Sequence, residues 1–200
     1  FLLRQRLAEH SDPQVHKYLE MQAGSLRVLR GLVDRIVALR GTENSPSDVA
    51  WRCQRVAPLL RDMVDRVHAA AATPRVVLSA QTDGAIRMDE HIFRAAIDKL
   101  IANALKFSAV ETRVDVNCLR VGDELEIWIQ DQGRGISTAD CAHVFTPFFR
   151  GHNVGAVPGA GLGLAIVRRA VDQLGGGVFF DSVEGFGTCF VLRFPVTLNS

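Results

Sequence analysis

Asn103, Lys106 and Phe107 have side-chain types and spacings suited to phosphate chemistry. Residues three and four apart are neighbours on a helix surface, and Ile97, Leu100, Ile101, Ala104 and Leu105 repeat at helical period toward a core, with Lys99, Asn103, Lys106 and Phe107 on another side. Asn is a poor helix former because its amide competes for nearby backbone groups, so its place in so apolar a run needs a reason. Two are open here. The amide caps a neighbouring loop, or its oxygen is a ligand for a hard cation such as magnesium, with Lys106 beside it for phosphate oxygens. Magnesium takes few protein oxygens and keeps waters and substrate phosphates, so one amide is an adequate share.

Two glycine segments supply what such a helix lacks. Asp131-Gln132-Gly133-Arg134-Gly135-Ile136 follows a strand-like run. Its glycines let the backbone approach a flat ligand, and its carboxylate suits the exocyclic amine of adenine, which guanine lacks at that position. Gly159-Ala160-Gly161-Leu162-Gly163-Leu164 runs directly into an apolar helix. A chain entering a helix in this way offers free N–H donors and the positive end of a dipole to phosphate. It has neither the P-loop spacing nor the parallel strand-helix-strand setting of a dinucleotide fingerprint. Between the two lie Phe145-Thr146-Pro147-Phe148-Phe149-Arg150 and the aperiodic residues 151–158. These read as a mobile lid hinged at Gly151 and Gly155, with the aromatics both anchoring its base and packing in the core.

The elements that must position these groups follow from periodicity and caps. Residues 1–9 read as the end of a helix. Asp12 and Pro13 start a second, whose Val15, Leu19, Gln22, Leu26, Leu29, Val33 and Ile36 form a coiled-coil or bundle seam ended at Gly41. Residues 41–48 are turn-rich, as in a linker. Beyond them we expect a weak strand at 49–56, a helix opened by Pro58, strands at 75–80 and 86–88, and Asp89 as N-cap of the Asn103 helix. Strands at 113–120, 124–130, 177–181 and 188–194 alternate with a two-residue period, with helices at 138–144 and 162–174 between them. This order predicts an α+β fold, a two-layer sandwich of a mixed, mostly antiparallel sheet and a helical layer.

The bulk numbers fit one globular domain plus a smaller element: 200 residues, 48% hydrophobic, 22% charged and net charge +1. Near-neutral charge argues against a nucleic-acid footprint, and no apolar run approaches a membrane span. Cys53, Cys118, Cys141 and Cys189 lack metal or redox spacing, so all four are expected reduced and structural, in a cytoplasmic setting.

Taken in order, Asn103 with Lys106, Asp131-Gln132-Gly133-Arg134-Gly135, Phe145-Thr146-Pro147-Phe148-Phe149, Gly159-Ala160-Gly161-Leu162-Gly163 and Gly185-Phe186-Gly187-Thr188 resemble the nucleotide-binding boxes of sensor histidine kinases. These belong to the wider ATPase superfamily of gyrase, Hsp90 and MutL. The resemblance implies an ATP-binding catalytic domain over 45–200, preceded at 1–44 by a truncated dimerisation and phosphotransfer hairpin of a dimeric four-helix bundle. ATP and Mg2+ are the implied cofactors, with Asn103 on the metal, Lys106 on a phosphate, Phe107 beside the base and Asp131 on the adenine amine. Gly133, Gly135 and Ile136 would shape the base pocket, Gly159, Gly161, Leu162 and Gly163 the phosphate side, and Thr188 its far wall, with Arg150 reaching in from the lid. The implied partners are a second copy, through the hairpin, and a response-regulator receiver domain, with no nucleic acid and no membrane contact by this stretch of chain. The parent protein would be cytoplasmic or membrane-anchored with its kinase part in the cytoplasm.

Two departures qualify the resemblance. No phosphoacceptor box, a His followed by an acidic residue and soon a proline, is present, and His10 and His16 lack that context. The chain is therefore expected to begin after the box. Lys99 stands one turn before Asn103, where the family carries Asn, His or a carboxylate. These departures leave open a degenerate nucleotide-sensing or dimer-scaffold module, and a serine kinase of the anti-sigma type would share the ATP site but lack the hairpin.

Overall fold

The computed structural model describes residues 50–82, 84–155 and 157–197. The hairpin expected at 1–44, its His10 and His16, and the linker at 41–48 lie outside these residues.

The first described strand, β1 (Arg52–Arg55), is shorter than the run at 49–56, and Val56 already belongs to helix α1 (Val56–Ala70). Pro58 is the third residue of α1 rather than its first. It is tolerated because N–H groups of a first turn have no partner within the helix. Strands β2 (Val76–Ala80) and β3 (Ala85–Met88) follow close to their expected positions. β3 pairs antiparallel with β1, with Arg52 opposite Met88, in a two-stranded ribbon.

Helix α2 (Glu90–Phe107) starts at Asp89 as its sequence predicts. Asp89 Oδ1 accepts from the N–H groups of His91 at 2.9 Å and Ile92 at 3.2 Å, satisfying donors the helix itself leaves open. Phe93, Ala96, Ile97, Leu100, Ile101 and Ala104 form its buried face. Arg94 joins α2 to α1 through Asp62 at 2.6 Å.

The main sheet adds β4 (Val114–Val121), β5 (Glu124–Gln130), β6 (Gly177–Val183) and β7 (Gly187–Pro195) to β2. Its order is β2-β4-β5-β7-β6, parallel between β2 and β4 and antiparallel elsewhere. Alternation decides the faces. Leu125, Ile127 and Ile129 of β5 are buried with the helical layer, while Trp128 and Gln130 are exposed. The third helix, α3 (Gly163–Gln173), buries Val167, Ala170 and Val171 on the same side.

One expected element is absent. Residues 138–144 are not a helix but part of a chain of tight turns, with bonds from Asp140 N–H to Ser137 O, His143 N–H to Asp140 O, Thr146 N–H to His143 O and Phe149 N–H to Thr146 O. So short a segment does not repay helix nucleation, and buried Asp140 gives its carboxylate to His152 instead. All four cysteines are free; Cys118 is buried, which pushes its thiol up to about 12, whereas Cys53 is exposed.

Candidate functional site

The last turn of α2 presents three of the predicted residues, Asn103 and Phe107 half-buried and Lys106 exposed. A helix end leaves carbonyls without partners, and here they are taken up by groups from elsewhere in the fold. Ala104 O accepts from Ser108 N–H at 3.2 Å and Ser108 Oγ at 2.5 Å, and Phe107 O from Arg134 N–H at 3.3 Å. Arg75, preceding β2, donates to Leu105 O, Ala109 O, Thr112 O at 3.1 Å and Ser108 Oγ at 3.3 Å. A planar guanidinium with several donors suits such a cluster. The Asn103 amide makes no hydrogen bond among the described residues and faces Gly163. A Cβ built there would lie 3.5 Å from Nδ2 and 3.7 Å from Oδ1.

The second segment begins where β5 ends. Asp131 is 8% exposed. Its Oδ1 accepts from the N–H groups of Gly133 at 2.8 Å and Thr188 at 3.3 Å, so both bonds that hold the carboxylate fall on one oxygen. Burial pushes its pKa above the ordinary carboxylate value, against the opposing pull of those two N–H groups. The surrounding backbone is close-packed. A Cβ on Gly133 would lie 2.5 Å from Phe107 O, one on Gly135 2.1 Å from Val183 O, and one on Gly187 2.1 Å from Asp131 O. Gly135 and Gly187 also have positive φ, 65° and 129°. Ser108 and Gly133 form an isolated bridge, which fastens this loop to the end of α2. Buried Thr188 shares a 2.9 Å bond with Ser182 Oγ, and Ser182 Oγ also accepts from Ile136 N–H at 2.9 Å and donates to Gly187 O.

The third segment brings the chain to α3 with Leu162 buried and no side-chain cap at the helix start, so first-turn N–H groups remain open beside Asn103. Gly161, at φ 69°, lies where a Cβ would come within 2.3 Å of Phe149 O. Lys106 Nζ donates to Pro158 O and lies 4.9 Å from the Phe107 ring centre. Arg150 donates to Gly155 O at 3.0 Å, Val157 O at 2.9 Å and Gly159 O at 3.1 Å, so its guanidinium is engaged by the lid's own backbone.

The lid base is tied down at several points. Arg134 Nη1 donates to Asn153 O at 2.6 Å, and Asn153 Nδ2 to Gly135 O at 3.1 Å and Glu184 Oε1 at 3.2 Å. Asp140 accepts from His152 N–H at 2.9 Å and sits 2.5 Å from its ring nitrogen. Burial alone would raise the Asp140 pKa, but the bonds from His152 and Ser137 outweigh it and lower it. Of the proposed hinges, Gly155 has positive φ, 58°, whereas Gly151 is conventional at −59°; there the need is for space, since a Cβ would meet Asp140 Oδ2 at 3.0 Å. Phe145 packs on Phe180 and Phe190 and Phe149 on His143, but Phe148 is 64% exposed at φ 65° and anchors nothing.

The structure thus brings together Asn103, Lys106, Phe107, Asp131 and the glycines of both loops. Lys99 is exposed one turn from Asn103, with no hydrogen bond or ion pair among the described residues. Arg75, Ser182 and Asn153 were not legible as site residues, since each acts on a partner far along the chain. Arg134 was visible only as the residue between two glycines.

Residues 88–198 match the model of the histidine kinase-, DNA gyrase B- and HSP90-like ATPase family. The chain is similar to the sensor-like histidine kinase SenX3 of Mycolicibacterium smegmatis, 29% identical over 197 residues, which cover 94% of this chain and 50% of SenX3. It spans half the length of that relative. Among solved structures, the mycobacterial sensor histidine kinase MprB superposes with TM-score 0.65 and 26% identity over 74% of this chain and 98% of MprB. Full-length ShkA in complex with AMPPNP matches with TM-score 0.72 and 21% identity over 97% of this chain and 41% of ShkA, a likeness of fold.

Proposed function

This chain belongs to the histidine kinase-, DNA gyrase B- and HSP90-like ATPase family and carries the ATP-binding catalytic domain of a sensor histidine kinase, and we propose that its site holds ATP with magnesium and passes the terminal phosphoryl group to a histidine. The observation that carries this reading is the meeting of Asn103 with the uncapped start of α3. One helix turn then presents an amide oxygen and a lysine beside open N–H donors, while the buried carboxylate of Asp131 lies across the bridge from Ser108 to Gly133.

Magnesium fits this donor set. No group of three His, Cys, Asp or Glu able to hold a metal exists among the described residues, so the ion would be shared between Asn103 Oδ1, phosphate oxygens and water. Bound there, it supplies charge neutralisation across the phosphates. Lys106 holds a phosphate oxygen, the first-turn N–H groups of α3 a second, and Asp131 Oδ2 accepts from the adenine amine. Phe107, Gly133, Gly135, Ile136 and Thr188 enclose the base, and Gly159, Gly161, Leu162 and Gly163 line the phosphates. Catalysis by such a site is positioning and electrostatics rather than covalent participation.

In the whole protein, residues 1–44 would belong to the dimerisation hairpin and 45–200 to the catalytic domain. The acceptor histidine would come from the hairpin of a longer chain or in trans, and a response-regulator aspartate would take the phosphoryl group next. No described helix is long and apolar enough to cross a membrane, and a cytoplasmic position is part of the proposal. Titrating ATP and GTP with and without magnesium, then adding an acceptor hairpin in trans, tests the reading. Magnesium-dependent ATP binding and acid-labile phosphate on the hairpin are expected; acid-stable phosphate would mark a serine kinase.

A second reading rests on exposed Lys99, which puts a fixed charge one turn from Asn103. It makes the domain a nucleotide sensor or dimer scaffold. ATP binding with no transfer to any acceptor hairpin would favour it.

A further inference from the structure

Ser182 Oγ has three hydrogen-bonding neighbours, each at 2.9 Å, and counting hydrogens fixes the direction of all three bonds. A serine hydroxyl has one hydrogen and two lone pairs. Gly187 O can only accept, so it takes that hydrogen. Ile136 N–H can only donate, so it takes one lone pair. The contact with Thr188 Oγ1 is left with the second lone pair, and there Thr188 is the donor. Reversing that bond would leave Ser182 Oγ and Gly187 O 2.9 Å apart with no hydrogen between them. Ser182 is saturated by these bonds. Thr188 has spent its one hydroxyl hydrogen on Ser182, and its Oγ1 has no other partner among the described residues, so its lone pairs stay open.

Asp131 stands in the same condition beside it. Its Oδ1 accepts from the N–H groups of Thr188 and Gly133, while Oδ2 has no partner among the described residues. Both residues are buried, where an acceptor left without a hydrogen is costly.

On the reading of Asp131 and Thr188 as residues that face the base, we infer that Ser182 is a positioning residue that sets base specificity: by taking the Thr188 hydrogen it makes Thr188 Oγ1, like Asp131 Oδ2, an acceptor only. The group against Thr188, an N–H of the base or a bridging water, must then give its hydrogen to Oγ1. A 6-amino purine has hydrogens to give along this edge, whereas a 6-oxo purine sets a third acceptor against two. Without Ser182 the Thr188 hydroxyl turns freely and can donate toward a 6-oxo group. Ser182 itself has no hydrogen or lone pair left for a ligand, so it acts through Thr188.

The test measures dissociation constants of ATP and of ITP, its 6-oxo counterpart, for the full chain, S182A, S182T, T188V and the double variant S182A/T188V. The preference for ATP over ITP is expected to narrow by about fivefold in S182A, and to survive in S182T, which keeps a hydroxyl. In the T188V background S182A is expected to leave the ratio as it is, because the hydroxyl through which Ser182 acts is gone. A merely structural loss would weaken both nucleotides alike. A ratio unchanged in S182A, or changed equally in the T188V background, overturns the inference. If S182A does not fold, S182C, of similar size and with a weaker acceptor, carries the same expectation. In the ligand-free chain, NMR is expected to show a Thr188 hydroxyl proton protected from exchange and in nuclear Overhauser contact with the Ser182 β-protons; its absence overturns the hydroxyl direction. A wild-type chain that shows this proton but binds neither nucleotide removes the ATP reading, and the role in base choice with it. One that prefers ATP while S182A keeps the ratio removes only the role of Ser182.

Discussion

At the end of the site proposed for the base, Asp131 and Thr188 are buried, with Asp131 Oδ1 bonded to two backbone N–H groups and Thr188 Oγ1 to Ser182, and three glycines approach carbonyls so closely that no Cβ fits. At the end proposed for phosphate, Lys106, Arg150, Pro158 and Gly159 are exposed, and the cations are joined to lid carbonyls. The first end is held in a fixed geometry, which suits discrimination between bases. The other end is open to water, where its bonds can be replaced. A buried hydrogen bond with one permitted partner gives specificity because its loss leaves a group unsatisfied, while charged donors near water trade acceptors at small net cost.

The most severe way to break the contrast is a methyl group in the rigid half. Gly187→Ala meets both a positive φ and a carbonyl 2.1 Å away, so it is expected to cost about 4 kcal/mol of stability, read as a large drop in melting temperature or loss of soluble protein. Gly155→Ala, with nothing within 4 Å, is the control: its positive φ alone leaves a smaller loss.

Asp131→Asn sharpens the contrast without emptying the pocket. The N–H groups of Gly133 and Thr188 require an oxygen where Oδ1 stands, so the new amide must turn its NH2 toward the base. We expect ATP affinity to fall about 100-fold with little change in melting temperature, and relative preference to shift toward GTP or ITP, whose 6-oxo groups accept.

In the exchangeable half the effects are smaller. Asn103→Ala is expected to weaken magnesium-dependent ATP binding about tenfold, and to leave magnesium-free binding almost unchanged, by titration in magnesium and in chelator. Equal losses in both would remove the metal role.

The smallest expected effect is with pH. The folded pKa of Asp131 is raised, so its contribution to stability is full below the ordinary carboxylate value and is lost as pH rises through the raised one. Binding moves the other way, since the ionised carboxylate accepts more strongly from the base. On acidification, ATP affinity is expected to decline at a higher pH than an ordinary carboxylate would give, and titrations of Asp131→Asn should lack that step.

Local chemistry made much of this legible. Asp89 as N-cap, the alternation of β5 and the apolar face of α2 depend on residues within one turn or one pleat of each other, and each stands where its spacing put it. The glycine loops were legible for the same reason, since a backbone that must turn or be approached selects glycine. The run at 138–144 misled because its apolar spacing is short, and Asp140 found a stronger partner twelve residues on.

Sequence alone therefore determined which groups the protein brings to the proposed site: an amide, a lysine, a carboxylate and two glycine loops on a two-layer scaffold. Tertiary structure decided their partners. Arg75 reaches the end of α2, Arg134 and Asn153 join the base loop to the lid, and Arg150 turns to the lid's own carbonyls. Periodicity and caps are set by neighbours along the chain, but a guanidinium's several donors go wherever the fold leaves carbonyls open, and that is fixed only when distant segments meet.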